Sequence, residues 1–493
     1  MKSSHLAVAI SLLASTAIAQ DLPQADNVWF TDAQATLQQR LAVQPNTNKA
    51  KNIILLIADG NGVGTNYATR LFDGQRNKGN FGDENMLPVD KFPYVALAKT
   101  YNTNAQTPDS AGTGTAMHTG VKTKAGVIGV DETLNRGDCD QVAGATVANA
   151  AEVFSAMGKE VGVISTARLT HATPASAYAH SADRNFESDN YLPEGCTVPD
   201  IAAQLIDQMK AGNVDLALGG GRRHFITKET TDNEGKTGKR KDGRNLIEEA
   251  KAAGITYVWN DETAAAADLS KPILGLFESS HMKYEADRSG EPSLAEMTEM
   301  AIKKLQGAEN GYFLTIEAGR VDHANHANNG YRVMTDGVAF AKAVALADEL
   351  TDDEDTLIIV TADHEHAIAF QGYAGRGSDI LGLSMKIDNN GTAHTGELNL
   401  AKDGRPYTTM GYLNGASSVL REDMNWAGVR PMLTQEDVLD VDYVQQALIP
   451  MSSETHSGED VAIYAKGPWA HLVDGTLEQN IVFHVMQYAA TAK

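Results

Sequence analysis

The chain reads as an α/β protein: a doubly wound, mostly parallel central sheet flanked by helices, with inserted loops. Three observations predict this. Short runs rich in Ile, Val and Leu recur between turn residues, amphipathic stretches of helical period separate them, and the two kinds alternate along most of the chain. Such alternation marks parallel strands joined by crossover helices. The apolar runs are too short for ordinary helices and lack a polar face, as expected of strands covered on both sides. Ligands of such sheets bind beyond the carboxyl ends of the strands.

Taken in order, the chain begins with Lys2 and the apolar run "LAVAISLLASTAIA", and Ala17-Ile18-Ala19 gives a small-x-small cleavage site before Gln20. Residues 1–19 therefore read as an export signal cut between Ala19 and Gln20, and the mature protein is expected to be periplasmic or secreted. No other segment approaches the roughly 20 apolar residues that span a bilayer, so no membrane anchor is expected. About 470 residues remain, a size that large α/β enzymes with insertions reach around one sheet, and 20–493 reads as a single domain. Its strands are "NIILLIADG" (52–60), "EVGVISTAR" (160–168), "VDLALGGG" (214–221), "GYFLTIEAG" (311–319), "TLIIVTADH" (356–364) and "DVAIYAKG" (460–467). Helical patterns lie between them at 146–158, 200–212, 293–306 and 333–350. Two stretches break the alternation: a charged insertion loop at about 222–245, and a Gly/Asn/Asp-rich insertion of little clear periodicity at about 369–450, which reads as an irregular subdomain.

Composition narrows the function. A hydrophobic content of 42% is that of a globular chain, and a net charge of −23 argues against nucleic-acid recognition, because a polyanion would be repelled. The basic stretch "KTGKRKDGR" (236–244) reads as a solvated loop. Two cysteines, Cys139 and Cys196, stand in turn-rich surroundings, and in an exported chain an even count favours one disulfide.

Chemistry-bearing residues gather at strand ends. Asp59 closes the first strand, and His171, Thr173 and Arg184 follow the second. Glu317 ends the strand "YFLTIEAG", and Asp322, His323 and His326 come next. Asp363 and His364 close "TLIIVTADH", with His366 after them, and His456 in "SSETHSGED" precedes the last long strand. A lone strand-end Asp is often a helix cap, and Asp-x-x-x-His is often a solvated pair. Capping does not need histidines, however, and four strands deliver carboxylates or imidazoles to one end. Mixed Asp and His ligands without thiolate suit catalytic Zn²⁺, whereas Glu, Asp and a threonine hydroxyl suit Mg²⁺. In "TPDSAGTGTAMHTG" (107–120), Ser110 then reads as a nucleophile at a helix start, where N–H groups and the helix dipole favour an anion.

These blocks together resemble the alkaline phosphatases, and the resemblance covers most of the mature chain. It implies a phosphomonoester hydrolase that forms a phosphoserine at Ser110 and works best at alkaline pH, with two Zn²⁺ and one Mg²⁺ per chain. The first zinc would take Asp322, His326 and His456. The second would take Asp59, Asp363 and His364, with Ser110 completing it. Magnesium would take Asp59, Thr173 and Glu317, and Arg184 would hold two phosphate oxygens. His171 and His323 stand where the enterobacterial enzyme has an aspartate and a lysine, as in the animal and marine-bacterial branch, and would act through water, outside the ligand sets. Asp109 would hydrogen-bond locally and place Arg184. The resemblance further implies a crown-like subdomain at 369–450, a homodimer and small phosphomonoester substrates. The segment 275–294 resembles one that carries an additional Ca²⁺, for which Glu278 and Glu291 are candidates; the other reading of that segment is a solvated acidic face. A phosphodiesterase or a sulfatase-type hydrolase of the same superfamily is the alternative, and no C-x-P-x-R sulfatase motif is present.

Overall fold

The computed structural model describes residues 22–391, 393–418 and 429–492. The export signal with its cleavage site, and part of the 369–450 insertion, lie outside these residues. The chain divides into two units, residues 1–45 and Asn46–Lys493, where the sequence reading has one domain over 20–493. In the first, the helix Val28–Ala42 is capped by Asn27, whose side chain accepts from Trp29 N, and none of its residues is buried. A helix that buries none of its residues contributes nothing to an apolar core.

The second unit is built on ten strands: β1 (Asn52–Ala58), β2 (Tyr94–Lys99), β3 (Glu160–Arg168), β4 (Leu216–Gly220), β5 (Thr256–Val258), β6 (Ile273–Leu276), β7 (Tyr312–Ala318), β8 (Thr356–Ala362), β9 (Val461–Lys466) and β10 (Gly475–Glu478). They form one sheet in the order β10-β2-β9-β8-β1-β7-β3-β4-β6-β5. Only β9 runs antiparallel to its neighbours, β8 and β2. The six strands read from the sequence are all present, and β2, β5, β6 and β10 join them. The four extra strands extend the sheet or sit near its rims, where runs are short or half-exposed and the apolar signal is weak.

Helices cover both faces. Ile53, Leu55 and Ile57 of β1 pack in one core with α1 (Ser110–Thr119), α3 (Ile201–Ala211) and α7 (Ile481–Thr491). Ile54 and Leu56 point the other way, into a core with α4 (Leu294–Leu305) and α6 (Gly330–Glu349). Alternate residues of one strand thus feed two cores, and that is why β1 carries no polar side chain between Ile53 and Ala58. Two short helices complete the site region: α2 (Ala172–Ala175), which follows β3, and α5 (Arg320–His326), which follows β7. Among the described residues no helix is long and apolar enough to cross a membrane.

Two sequence expectations need revision here. The 236–244 stretch is not simply a solvated loop, because Arg240 is fully buried. Its guanidinium forks onto Asp200 at 2.9 Å through both terminal nitrogens, and Asp242 and Asp189 close around it. A charge buried with a bidentate partner anchors the loop, whereas a lone lysine would have stayed in solvent. The 369–450 insertion is not devoid of regular structure either: Ile368–Phe370, Met410–Gly415 and Ala447–Pro450 form a three-stranded sheet, and Met385–Ile387 pairs with His394–Leu398. Cys139 and Cys196 are disulfide-bonded, with Cα atoms 5.5 Å apart.

Candidate metal centre

The middle of the sheet, β8-β1-β7-β3, ends in one row. Ala58 pairs with both Ala318 and Ala362, so Asp59 and Asp363 leave the sheet at the same level and side by side. Glu317 lies in β7 one step earlier, and α5, next along the chain, carries Asp322, His323 and His326. His456 reaches the same end for a different reason. Because β9 is antiparallel to β8, the residues that precede it lie at the carboxyl ends of the parallel strands.

Ser110 opens α1, with Asp109 as N-cap. Asp109 Oδ1 accepts from Gly112 N at 3.1 Å and from Gly126 N at 2.9 Å, and Oδ2 pairs with Arg184 Nη1 at 3.0 Å. The small residues after Ser110 have a steric reason: a Cβ on Gly112 would lie 2.3 Å from Asn102 Nδ2, and one on Gly114 2.6 Å from Ser176 Oγ. Side chains there would push the helix off its neighbours.

Three groupings emerge. In the first, Asp322 Oδ1 lies 3.3 Å from His326 Nε2 and 3.2 Å from His456 Nε2, and the two Nε2 atoms are 3.1 Å apart. In the second, His364 Nε2 lies 3.3 Å from Asp59 Oδ1, 3.4 Å from Asp363 Oδ2 and 3.3 Å from Ser110 Oγ. In the third, both Asp59 oxygens, Thr173 Oγ1 and Glu317 Oε1 are buried without any hydrogen-bond partner. Orphaned oxygens in a dry pocket are expensive unless a cation meets them. Oxygens from these three residues fit a hard divalent ion, and the two Asp/His groupings fit zinc.

The ionisation pattern agrees. Burial, and then the charge of Asp363, pushes the Asp59 carboxyl well above the usual range, and burial lifts Glu317 to about 7. Burial would raise Asp322 too, yet the imidazoles of His326, His366 and His456 hold it well below. Desolvation keeps His364 and His171 well below the ordinary imidazole value. A metal ion binds neutral imidazoles and ionised carboxylates, and a bound cation would supply the charge that lets the crowded Asp59 and Glu317 ionise.

His171 Nε2 lies 3.1 Å from Arg184 Nη2, and its Nδ1 is buried without a partner. Asp59, His171 and Glu317 offer atoms within 4.8 Å of one another, so His171 borders the third grouping directly. His323 stands behind it, ring centroids 5.4 Å apart, with Nδ1 3.2 Å from Arg320 Nη1. Glu278 and Glu291 flank Lys283: Glu278 Oε1 is 3.0 Å from Lys283 Nζ, and Glu291 Oε1 accepts from Lys283 N at 2.7 Å. The solvated acidic face considered for this segment is thereby corrected at Glu291, which is 1% exposed, has an unpartnered Oε2 and is pushed up to about 7 by burial.

The ligand sets drawn from the sequence left out a pair. His366 Nε2 meets Asp322 Oδ1 at 2.9 Å, and its Nδ1 meets Glu454 Oε2 at 2.5 Å. Hydrogen bonds to Asp322 and Glu454 outweigh its burial and lift His366 to about 10. The backbone carbonyl of Glu454 also accepts from His326 Nδ1 at 2.7 Å, so this residue orients both His326 of the first grouping and His366 beside it. A signal existed, since His364/His366 and Glu454/His456 are each two apart in extended chain and share a side.

The family model described as alkaline phosphatase matches residues 50–492. The tissue-nonspecific alkaline phosphatase of Gallus gallus is 41% identical over 505 residues, covering 98% of this chain and 93% of that protein. The alkaline phosphatase of Gadus morhua is also 41% identical, covering 94% of this chain and 96% of its own. Among solved structures, the alkaline phosphatase of Thermus thermophilus superposes with a TM-score of 0.65 at 24% identity, over 94% of this chain and 95% of that one, and shares the fold. The chain therefore belongs to the alkaline phosphatase family of metal-dependent phosphomonoester hydrolases.

Proposed function

We propose that Ser110 is the nucleophile of this hydrolase and that the three groupings hold two Zn²⁺ and one Mg²⁺. Asp322, His326 and His456 would take the first zinc, Asp59, Asp363 and His364 the second, and Asp59, Thr173 and Glu317 the magnesium. The observation that carries this reading is the set of orphaned buried oxygens on Asp59, Thr173 and Glu317 beside an imidazole 3.3 Å from Ser110 Oγ. When bound, the metals supply positive charge that lowers the cost of the serine alkoxide and of the departing oxygen.

The chain's own residues do the rest. Ser110 gives up its proton to solvent, and Oγ forms a bond to phosphorus while the ester P–O bond breaks; the leaving oxygen takes a proton from solvent and departs as the alcohol. Water then attacks from the vacated side and gives up a proton, the P–Oγ bond breaks, Ser110 Oγ regains a proton, and inorganic phosphate leaves. The guanidinium of Arg184 holds two phosphate oxygens, steadied by Asp109 and His171. The first-turn N–H groups of α1 face the same anion and favour its charge. His171 borders the magnesium set with His323 behind it, and both act there through water rather than as ligands. Deprotonation of Ser110 and of water is easier at high pH, so activity rises towards alkaline values. Small phosphomonoesters suffice as substrates because the site grips the phosphoryl group and asks little of the alcohol.

Three further readings go with this one. The chain is periplasmic or secreted, cut between Ala19 and Gln20. Glu278 and Glu291 hold an additional Ca²⁺. The protein is a homodimer, in keeping with the exposed Val95 and Leu97 on β2 and Leu448, Ile449 and Met451 at the end of the insertion; light scattering on the mature protein tests it. For the site itself, Ser110→Ala is expected to abolish p-nitrophenyl phosphate turnover while elemental analysis finds zinc and magnesium still bound. Full turnover in that variant, or full activity without zinc, refutes the assignment, and equal turnover of a diester would favour the phosphodiesterase.

A further inference from the structure

The nucleophile helix carries one more titratable group, unused in the chemistry above. His118 lies in α1 two turns beyond Ser110 and is fully buried. Its Nδ1 is 3.1 Å from Gly114 O in its own helix and 2.9 Å from Ser176 Oγ, at the end of α2. Its Nε2 is 3.0 Å from Thr315 Oγ1 in β7. Ser176 Oγ donates to Thr173 O at 2.7 Å, so its lone pairs are free to accept from Nδ1–H. The Thr315 hydroxyl is then the donor to Nε2, which fixes one tautomer. Burial lowers His118 to about 4, so the ring stays neutral at any working pH.

Each partner stands beside a residue of the site. Ser176 follows Thr173 by three positions in one turn, and Thr315 precedes Glu317 by two in the strand, on the same side. Apart from Met117, His118 is the only large side chain in α1, whose other members are Ser, Ala, Gly and Thr. A helix so poor in interlocking side chains has little apolar packing to fix its register, and directional bonds from a buried imidazole can supply it.

We propose that His118 is a positioning residue for hydrolysis: it ties the helix that begins with Ser110 to the turn carrying Thr173 and the strand carrying Glu317, and so sets the nucleophile against the third-site ligands. This rests on the site assignment above. A misplacement of about 1 Å can cost on the order of a hundredfold in rate, so a modest loosening of α1 is visible in kcat.

The test uses the full-length zinc-loaded enzyme. His118→Phe keeps a planar ring and removes both bonds, whereas Thr315→Val is isosteric and removes only the link to β7. Both variants are expected to lower kcat by about tenfold or more with KM changed less than about twofold, and to raise the Mg²⁺ dissociation constant read by calorimetric titration. The double variant is expected to be no worse than His118→Phe, because the two residues share one contact. His180→Phe, which loses bonds to Gly129 O and Glu152 away from the site, controls for a general loss of stability and keeps wild-type kcat. If His118→Phe fails to fold, Thr315→Val decides. Wild-type kcat and Mg²⁺ affinity in the folded variants overturn the proposal while Ser110→Ala remains inactive; turnover by Ser110→Ala overturns the site assignment instead.

Discussion

Asp109→Asn keeps an acceptor at Oδ1 and removes the anion beside Arg184. In the structure Oδ1 carries the helix cap to Gly112 N and the bond to Gly126 N, while Oδ2 faces Arg184 Nη1 at 3.0 Å. An asparagine preserves the first two bonds and turns N–H groups towards the guanidinium. Both partners of the ion pair are about one-fifth exposed, 19% and 21%, so its loss changes stability by less than about 1 kcal/mol. Binding is affected differently. Arg184, released on that side and held only through His171 Nε2, must be ordered when phosphate arrives, at a cost of about 0.5–1.5 kcal/mol for a long side chain, or about 2- to 13-fold in affinity. The assay is the inhibition constant of inorganic phosphate against p-nitrophenyl phosphate hydrolysis, with KM and the melting temperature measured alongside. Both constants are expected to rise by that factor at nearly constant melting temperature. Asp109→Ala, which also loses the cap, is expected to destabilise by a further ~1 kcal/mol. An unchanged phosphate constant in Asp109→Asn would refute the role of Asp109 in holding Arg184. A melting temperature as low as that of Asp109→Ala would refute the capping role of Oδ1.

Other expectations follow from buried groups away from the site. Arg240→Ala leaves Asp200 buried without its fork and is expected to cost about 3–5 kcal/mol in denaturant unfolding, whereas a solvated loop would cost almost nothing. Asp336, buried against Glu285 N, is pushed up to about 8 by desolvation. Its folded pKa lies above the unfolded one, so unfolding releases its proton and stability drains away as pH rises from about 4 to 8. Asp336→Asn is therefore expected to gain melting temperature relative to wild type across that window and to hold the gain above it; a constant difference from pH 4 to 9 contradicts the shift. Removing the Cys139–Cys196 bridge, which spans 57 residues, is expected to destabilise by about 4 kcal/mol on the loop-entropy model, read as a lower unfolding midpoint in Cys139→Ser.

Much of the site was legible because its residues sit where strands end, and strand ends are local features. "NIILLIADG" announces both β1 and the exposed carboxylate that follows it, and "TLIIVTADH" does the same for β8 and Asp363. The rim strands were harder to read. β5 has three residues, and β2 alternates buried Ala96 and Ala98 with exposed Val95 and Leu97, so neither gives a long apolar run. Arg240 sits in a run of charges that looks solvated, and only its contact with Asp200, forty residues earlier, takes it inside.

By itself the sequence determined the alternation of strands and helices and the chemical types gathered at one edge, because both depend on spacing of a few residues. Tertiary structure decided which groups share an ion-sized space. Asp59 and Asp363 stand together because Ala58 and Ala362 are in register. His456 reaches Asp322 because β9 is antiparallel. His366 and Glu454, and His118 with Thr315, meet through pairings between residues 88 and 197 positions apart. Sheet register and helix packing set such distances, and no local pattern in the chain encodes them.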